Sequence, residues 1–138
     1  MKKIFLFIVL TFVLNSCSND KHEDEYVYNG EVLPVVSYVM PTTYAVDAVS
    51  TITLRYKIPT TCYGYDGIYY DKNGMTRTVG IATYQYSNGS NCQIDGVNVY
   101  EASLNFKPVL AGTYTFKFFT GKDSAGVDQF ATETVVVP

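Results

Sequence analysis

The sequence predicts an all-β domain, an antiparallel β-sandwich of seven or eight strands. Two observations carry this prediction. No segment after the first 16 residues shows the helical period. Short runs of β-branched and aromatic residues, alternating with polar ones, recur between turn residues at spacings of about 8–12 residues. The 13 tyrosines and 8 phenylalanines agree, because aromatic side chains suit a half-buried pleated surface.

In chain order, residues 31–40 form the first predicted strand. Pro34 cannot donate a hydrogen bond to a neighbouring strand, so the start of this strand is expected at a sheet edge. Residues 51–58 alternate most clearly, and Pro59 ends them. Their predicted inward positions are Ile52, Leu54, Tyr56 and Ile58.

The second half continues the same pattern. Residues 67–71 and 76–86 flank Asn73-Gly74, a hairpin signal. Residues 87–90 predict another turn. The remaining predicted strands are 93–100 (broken at Asp95-Gly96), 102–107, 113–120 (with Tyr114, Phe116 and Phe118 on one face) and 128–137.

The N-terminus has the pattern of a secretory leader. Lys2 and Lys3 precede an apolar run at residues 4–14. As a helix this run would be about 16 Å long, too short for a bilayer core of about 30 Å. A short apolar run behind basic residues is typical of a signal peptide.

Leu14-Asn15-Ser16-Cys17 resembles the lipobox of bacterial lipoproteins. In that family the cysteine thiol receives a diacylglyceryl group and a peptidase then cuts before it. The resemblance implies lipidation at Cys17 and a signal peptide at 1–16. The polar and charged composition after Cys17 predicts a flexible acidic tether at 17–30, followed by the folded domain at 31–138. The membrane is then a partner through the lipid.

The residues after Cys17 bear on location. Ser18, in place of aspartate, implies sorting to the outer membrane by the rules of Gram-negative lipoproteins. The acidic stretch at 20–25 resembles a signal that places lipoproteins on the cell surface, although a solvated acidic tether would have the same composition.

Charge and cysteines narrow the function. The formal net charge is −3 and no basic stripe exists, which argues against nucleic acid as a partner. Cys62 and Cys92 predict a disulfide in an oxidising compartment, with two buried free thiols as the alternative. No metal or other cofactor is expected, because the single histidine, His22, lies in the tether.

The predicted domain offers few groups for catalysis. Without histidine it has no Ser/His/Asp or Cys/His arrangement. Asp66 with Asp71, and Asp123 with Asp128, are spaced as carboxylate pairs, and the second pair could also contribute to a calcium site. Aspartate near glycine is, however, ordinary turn chemistry. We therefore expect a protein that is not an enzyme.

One local motif indicates a fold family. Residues 108–116 resemble the turn that enters strand F of immunoglobulin-like domains. The resemblance implies that the Tyr114 hydroxyl bonds back to the preceding turn. It also places Phe116 in the core opposite Leu54. The predicted fold is thus an immunoglobulin-like antiparallel β-sandwich.

The tyrosines suggest a binding surface. Exposed tyrosines give rigid, amphipathic contact area, although they also fill strands for packing reasons alone. The residues predicted to contact a glycan, an envelope protein or a host protein are Tyr63, Tyr65, Tyr69 and Tyr84. The alternative function is a structural accessory subunit of a larger envelope assembly. Asp123-Ser124-Ala125 resembles a bacterial O-glycosylation motif, which makes Ser124 a candidate acceptor.

Overall fold

The computed structural model describes residues 29–86 and 91–138, which form eight β-strands and no helix. The strand number and the all-β class agree with the sequence prediction. The strands are β1 (Asn29–Leu33), β2 (Val35–Val39), β3 (Ser50–Tyr56), β4 (Tyr63–Asn73), β5 (Thr76–Gln85), β6 (Tyr100–Phe106), β7 (Gly112–Lys122) and β8 (Asp128–Val137).

The strands make two sheets. The smaller sheet has the order β2-β3-β6 and is antiparallel. In the larger, five-stranded sheet, β5 pairs with β4 along its whole length on one side. On its other side β5 has two neighbours in succession, parallel β7 along its first half and antiparallel β1 along its second half. β8 then pairs antiparallel with β7.

The single strand predicted at 31–40 is two strands in different sheets. β1 belongs to the larger sheet and β2 to the smaller one, and Pro34 separates them. Leu33 and Val35 are each 3% exposed, because the chain crosses the sandwich at this point and both side chains enter the core. Proline fits the crossing, since its backbone has no hydrogen to donate to either sheet.

The core lies between the two sheets. Ile52, Leu54, Tyr56 and Ile58 are buried as predicted. From the opposite sheet, Phe116 contacts Phe106 edge-on, with ring centroids 5.0 Å apart. Aromatic pairs of this geometry contribute about 0.5–1.5 kcal/mol beyond their buried area. The two sheets therefore pack face to face, which confirms the β-sandwich.

The turn before β7 has the predicted tyrosine contact. The Tyr114 hydroxyl donates to the Leu110 carbonyl at 3.0 Å. The immunoglobulin-like topology is not confirmed, however. In immunoglobulin domains strand F has strand C as its neighbour within an antiparallel sheet. Here the corresponding β7 lies beside β5 in parallel, and β4 lies outside β5.

One local prediction is wrong. Residues 93–99 do not form a strand, and only Ile94 makes an isolated bridge, to Thr60. The strand predicted at 67–71 is longer at both ends, and β4 begins at Tyr63. Its register shifts between Tyr65 and Gly67, where glycine adopts a φ of 139°. A bulge of this kind lets a glycine-rich segment run along a sheet edge. The turn predicted at 87–90 lies outside the described residues.

The sandwich has two distinct ends. Asn29 pairs with Gln85, so the chain enters where β5 ends. We call this the anchor end; it also carries the segments 57–62, 91–99 and 123–127. The far end carries 40–49, 74–75 and 107–111. β1 begins slightly before the boundary predicted at residue 31.

Candidate functional site

The structure divides the four predicted tyrosines between two faces of the larger sheet. Tyr63 and Tyr65 lie opposite Gln85 and Thr83 and share the inner face with them. Past the bulge the alternation changes phase, so Tyr69 lies opposite Gly80 on the outer face. Tyr84 is also on the outer face. The four residues therefore do not share one face, and the bulge is the physical reason. Their role in binding stays a prediction.

The two inner tyrosines contact the sandwich itself. The Tyr63 hydroxyl donates to the Glu31 carboxylate at 2.8 Å, and this hydrogen bond, together with burial, raises the pKa of Tyr63 above its ordinary value. Tyr65 stacks on the buried Tyr56 at 6.1 Å between ring centroids. Both contacts attach the start of β4 to the rest of the domain.

Tyr84 is used for packing on the outer face. It lies opposite Gly64, and a Cβ atom there would come within 2.2 Å of the Tyr84 ring. The ring therefore covers the glycine backbone directly. Tyr86 meets Tyr84 edge-on at 4.9 Å, and their hydroxyls are hydrogen-bonded at 2.8 Å. This pair lies near the anchor end, where β5 stops.

Tyr69 belongs to a concave site. On the outer face of the larger sheet a groove of about 470 Å³ opens to solvent. We call it the outer groove. Its volume is within the usual range of small-ligand sites, about 300–1,000 Å³. Its lining residues are Gly30, Glu31, Val32, Tyr69, Thr78, Phe119, Lys122, Asp128 and Phe130.

The groove follows from the branching of the sheet. β5 has β7 as its neighbour up to Val79 and β1 from Ile81 onward, so β7 must turn away between these points. A register shift in β7 between Phe119 and Gly121 accompanies this departure. Gly80 lies at the branch, and a Cβ atom there would come within 2.5 Å of Val32. Glycine thus allows β1 to approach β5 closely.

Two phenylalanines make this surface apolar. Phe119 and Phe130 are direct cross-strand partners with ring centroids 5.9 Å apart. The Lys117 ammonium lies over the Phe130 ring at 4.5 Å. Neither phenylalanine was among the predicted site residues. The signal was the pair Phe118-Phe119, because adjacent residues of a strand point to opposite faces and only one can enter the core.

Charged groups border the groove at the β7–β8 hairpin. Lys122 and Asp128 form an ion pair, and both side chains remain about half exposed. The Asp123 carboxylate instead caps the hairpin loop, accepting bonds from the Ala125 and Val127 amides, each at 2.9 Å. Asp123 and Asp128 therefore have structural partners. Across residues 29–86 and 91–138, no three acidic, cysteine or histidine side chains converge as a metal site would require.

The remaining predicted residues lie elsewhere. Cys62 and Cys92 are joined in a disulfide, with Cα atoms 5.3 Å apart, at the anchor end. Ser124 is exposed at the tip of the β7–β8 loop, so it is accessible to a modifying enzyme. Asp66 and Asp71 are exposed on β4. Cys17 precedes the described residues.

The outer face around the groove is rich in hydroxyls. Thr76, Thr115 and Thr134 are cross-strand partners in one row across β5, β7 and β8. In the next row Thr78 and Thr132 lie on either side of Lys117. No described strand covers this face. The outer face therefore combines an aromatic depression with threonine hydroxyls on the side toward the far end.

Comparison with known proteins gives one match. The family model for the prokaryotic membrane lipoprotein lipid attachment site matches residues 1–18. This supports a membrane-anchored bacterial lipoprotein, and Cys17 is the cysteine within the matched residues. No curated protein and no solved structure matches the chain. Within the described parts of the chain, the structure contains no helix with the length and hydropathy to cross a bilayer.

Proposed function

We propose that this chain is a lipid-anchored, non-enzymatic binding protein of the cell envelope and that its outer groove holds a glycan segment. The observation that carries the proposal is the groove itself, an aromatic depression on an otherwise hydroxyl-rich face. Tyr69 is 44% exposed and Phe130 is half-buried, and contact of this aromatic area with water is less favourable than its burial under a ligand. Selection for solubility alone would favour polar residues at these positions.

The chemistry of the groove suits a sugar. The apolar face of a pyranose ring packs on aromatic rings such as Tyr69 and Phe130, while its hydroxyls need hydrogen-bonding partners around the edge. Lys122 and Thr78 supply such partners. The groove is also small. A stable protein interface buries about 800 Å² on each partner and is usually flatter than this concave site.

The absence of catalysis is part of the proposal. Retaining and inverting glycosidases need two carboxylates that are available to the substrate. Of the two carboxylates that line the groove, Glu31 accepts a hydrogen bond from Tyr63 and Asp128 is paired with Lys122. The buried Asp95 accepts a hydrogen bond from the Tyr100 hydroxyl at 2.5 Å. These uses of the carboxylates support binding without hydrolysis.

The proposed location is the outer membrane, with the domain on the cell surface. Ser18 and the acidic stretch at 20–25 support it by their resemblance to sorting signals. Lipidation at Cys17 would hold the domain at the membrane almost permanently, because each buried CH₂ contributes about 0.8 kcal/mol.

A glycan array probed with the lipidated protein in detergent tests the proposal. We expect binding to one class of oligosaccharide, and we expect Phe130→Ala and Tyr69→Ala to weaken it by about tenfold or more, the loss of roughly 1.4 kcal/mol of contact. Tyr86→Ala is the matched control, because Tyr86 is 42% exposed against 44% for Tyr69 but lies outside the groove. An array without hits, or equal losses in all three variants, would contradict the proposal.

A second candidate function is the accessory subunit. The observation that favours it is β4, an 11-residue strand with a described partner on one side only. Unpaired strand edges are templates for pairing with another chain. A stoichiometric envelope partner that co-purifies equally with the wild type and with Phe130→Ala would favour this function over glycan binding.

A further inference from the structure

A second apolar surface lies at the anchor end, separate from the outer groove. In the segment 91–99, Ile94 is 91% exposed, Val97 80% and Val99 52%. Val127, in the β7–β8 loop at the same end, is 58% exposed. Exposed apolar patches mark protein or membrane interaction sites. The far end also exposes aliphatic side chains, among them Val109 and Leu110, so the choice between the two ends depends on where the chain to the lipid attaches.

Several contacts hold this segment in place. The Cys62–Cys92 disulfide joins its start to the β3–β4 connection. Backbone bonds continue the attachment, from Thr61 to Gln93 at 2.9 Å and from Asp95 to Pro59 at 3.0 Å. The apolar side chains are therefore presented to solvent by a segment that is fixed at both its start and its middle.

A buried carboxylate completes the support. Asp95, 6% exposed, accepts hydrogen bonds from the Tyr100 hydroxyl and from the Asn98 side-chain amide. Tyr100 in turn lies 5.7 Å from the buried Tyr56, between ring centroids. Asp95 thus points into the domain while its neighbour Ile94 points out. Burial of a carboxylate is costly unless it is paired, and the two hydrogen bonds to Asp95 meet this requirement. They hold Asp95 inward, which leaves the neighbouring Ile94 on the solvent side.

The chain itself indicates what covers this surface. Cys17, at the end of the matched lipid attachment site, lies 12 residues before Asn29. Those residues span at most about 40 Å when fully extended. Asn29 pairs with Gln85 at the anchor end, the same end as segment 91–99. The chain that carries the lipid therefore enters the domain at the same end that presents segment 91–99.

We infer that segment 91–99 docks on the lipid bilayer beside the anchor and orients the domain with its far end outward. The contact is apolar: Ile94, Val97 and Val99 enter the interfacial region, as side chains of membrane-surface segments do to a depth of about 5–10 Å. Lipid anchoring raises the local concentration of the bilayer, so a small apolar contact is sufficient to hold the orientation.

The absence of tryptophan from the chain allows a direct test. Ile94→Trp and, as matched control, Val109→Trp each introduce a single reporter, at the anchor end and at the far end. Val109 is 66% exposed, so neither substitution disturbs the core. The lipidated full-length variants are reconstituted in neutral phosphatidylcholine vesicles with and without brominated acyl chains, and flotation verifies anchoring independently.

We expect brominated lipid to quench the Ile94→Trp emission and vesicles to shift it to the blue, with neither effect for Val109→Trp. Val97→Trp should behave like Ile94→Trp. The inference would be overturned if Ile94→Trp and Val109→Trp showed the same emission and quenching while flotation showed both proteins on the vesicles. Quenching of Val109→Trp alone would also overturn it. Because the readout does not involve the outer groove, its result is independent of glycan binding.

Discussion

The inner and outer faces of β7 follow different rules. On the inner face Tyr114, Phe116 and Phe118 alternate without interruption, and all are buried. On the outer face Thr113, Thr115 and Lys117 are followed by an aromatic residue, Phe119, which departs from the polar pattern. Regular alternation records packing, because every inner position meets the same apolar core. The apolar Phe119 on the outer face instead reflects a local feature, the branching of the sheet and the groove that forms beside it.

The largest expected effect tests the inner face. Phe116→Ala should lower the free energy of unfolding by about 3–5 kcal/mol, because it leaves a cavity where the ring meets Phe106. Thr115→Ala, one residue away on the outer face, should change it by about 0.5 kcal/mol or less. Urea denaturation of the two variants measures the difference. Similar losses would show that β7 has no preferred inner face.

The disulfide provides the next test, because it lies outside both faces. Cys62→Ser combined with Cys92→Ser should cost about 3–4 kcal/mol, since the bridge closes a loop with a sequence separation of 30 in the unfolded chain. Denaturation under oxidising conditions measures this cost. Glycan binding should persist below the unfolding transition, because the groove is formed by the sheet. Loss of binding in the folded double variant would show that the groove depends on the anchor end.

Two buried tyrosines give a smaller and more discriminating comparison. Tyr44 and Tyr114 both meet Phe106 edge-on, at 6.0 and 5.1 Å. The Tyr114 hydroxyl bonds to Leu110, whereas the buried Tyr44 hydroxyl has no hydrogen-bond partner among the described residues. Tyr114→Phe should therefore cost about 1 kcal/mol, and Tyr44→Phe should be neutral or stabilising. Calorimetric unfolding distinguishes them, and equal effects would contradict the assignment.

Alkaline titration tests the anchor end. Hydrogen bonding to Asp95 raises the pKa of Tyr100, and burial raises that of Tyr56, above the ordinary value of 10.0. A raised folded-state pKa gives stability that is complete below the unfolded pKa and is lost as pH rises through the folded one. Stability should thus fall above about pH 10, and Tyr100→Phe should reduce the fall. Absorbance near 295 nm reports the phenolates without interference from tryptophan. An unchanged alkaline slope in Tyr100→Phe would count against the Asp95 contact.

Features that depend on the alternation of residues along one strand could be predicted from the sequence. Features that depend on which strands pair could not. Ile52, Leu54 and Phe116 could be placed in the core because strand period alone fixes their side. The separation of β1 from β2 at Pro34 could not be predicted, because it depends on which sheet each of the two strands joins. Phe119 and Phe130 were missed for a related reason: a groove exists only once β1 and β7 are known to share β5 as a neighbour. The inward position of Tyr63 and Tyr65, opposite to that of Tyr69, could not be predicted either, because one bulge reverses the phase of β4.

The most direct test of the central claim is a map of amide chemical shifts when the best array glycan is added to the protein. Shifts concentrated on β1 and at Tyr69, Phe119 and Phe130, with little change in the segments of the far end, are the predicted result. Shifts concentrated on the far end or on the outer face of β3 and β6, with the groove unchanged, would contradict the assignment of the ligand site.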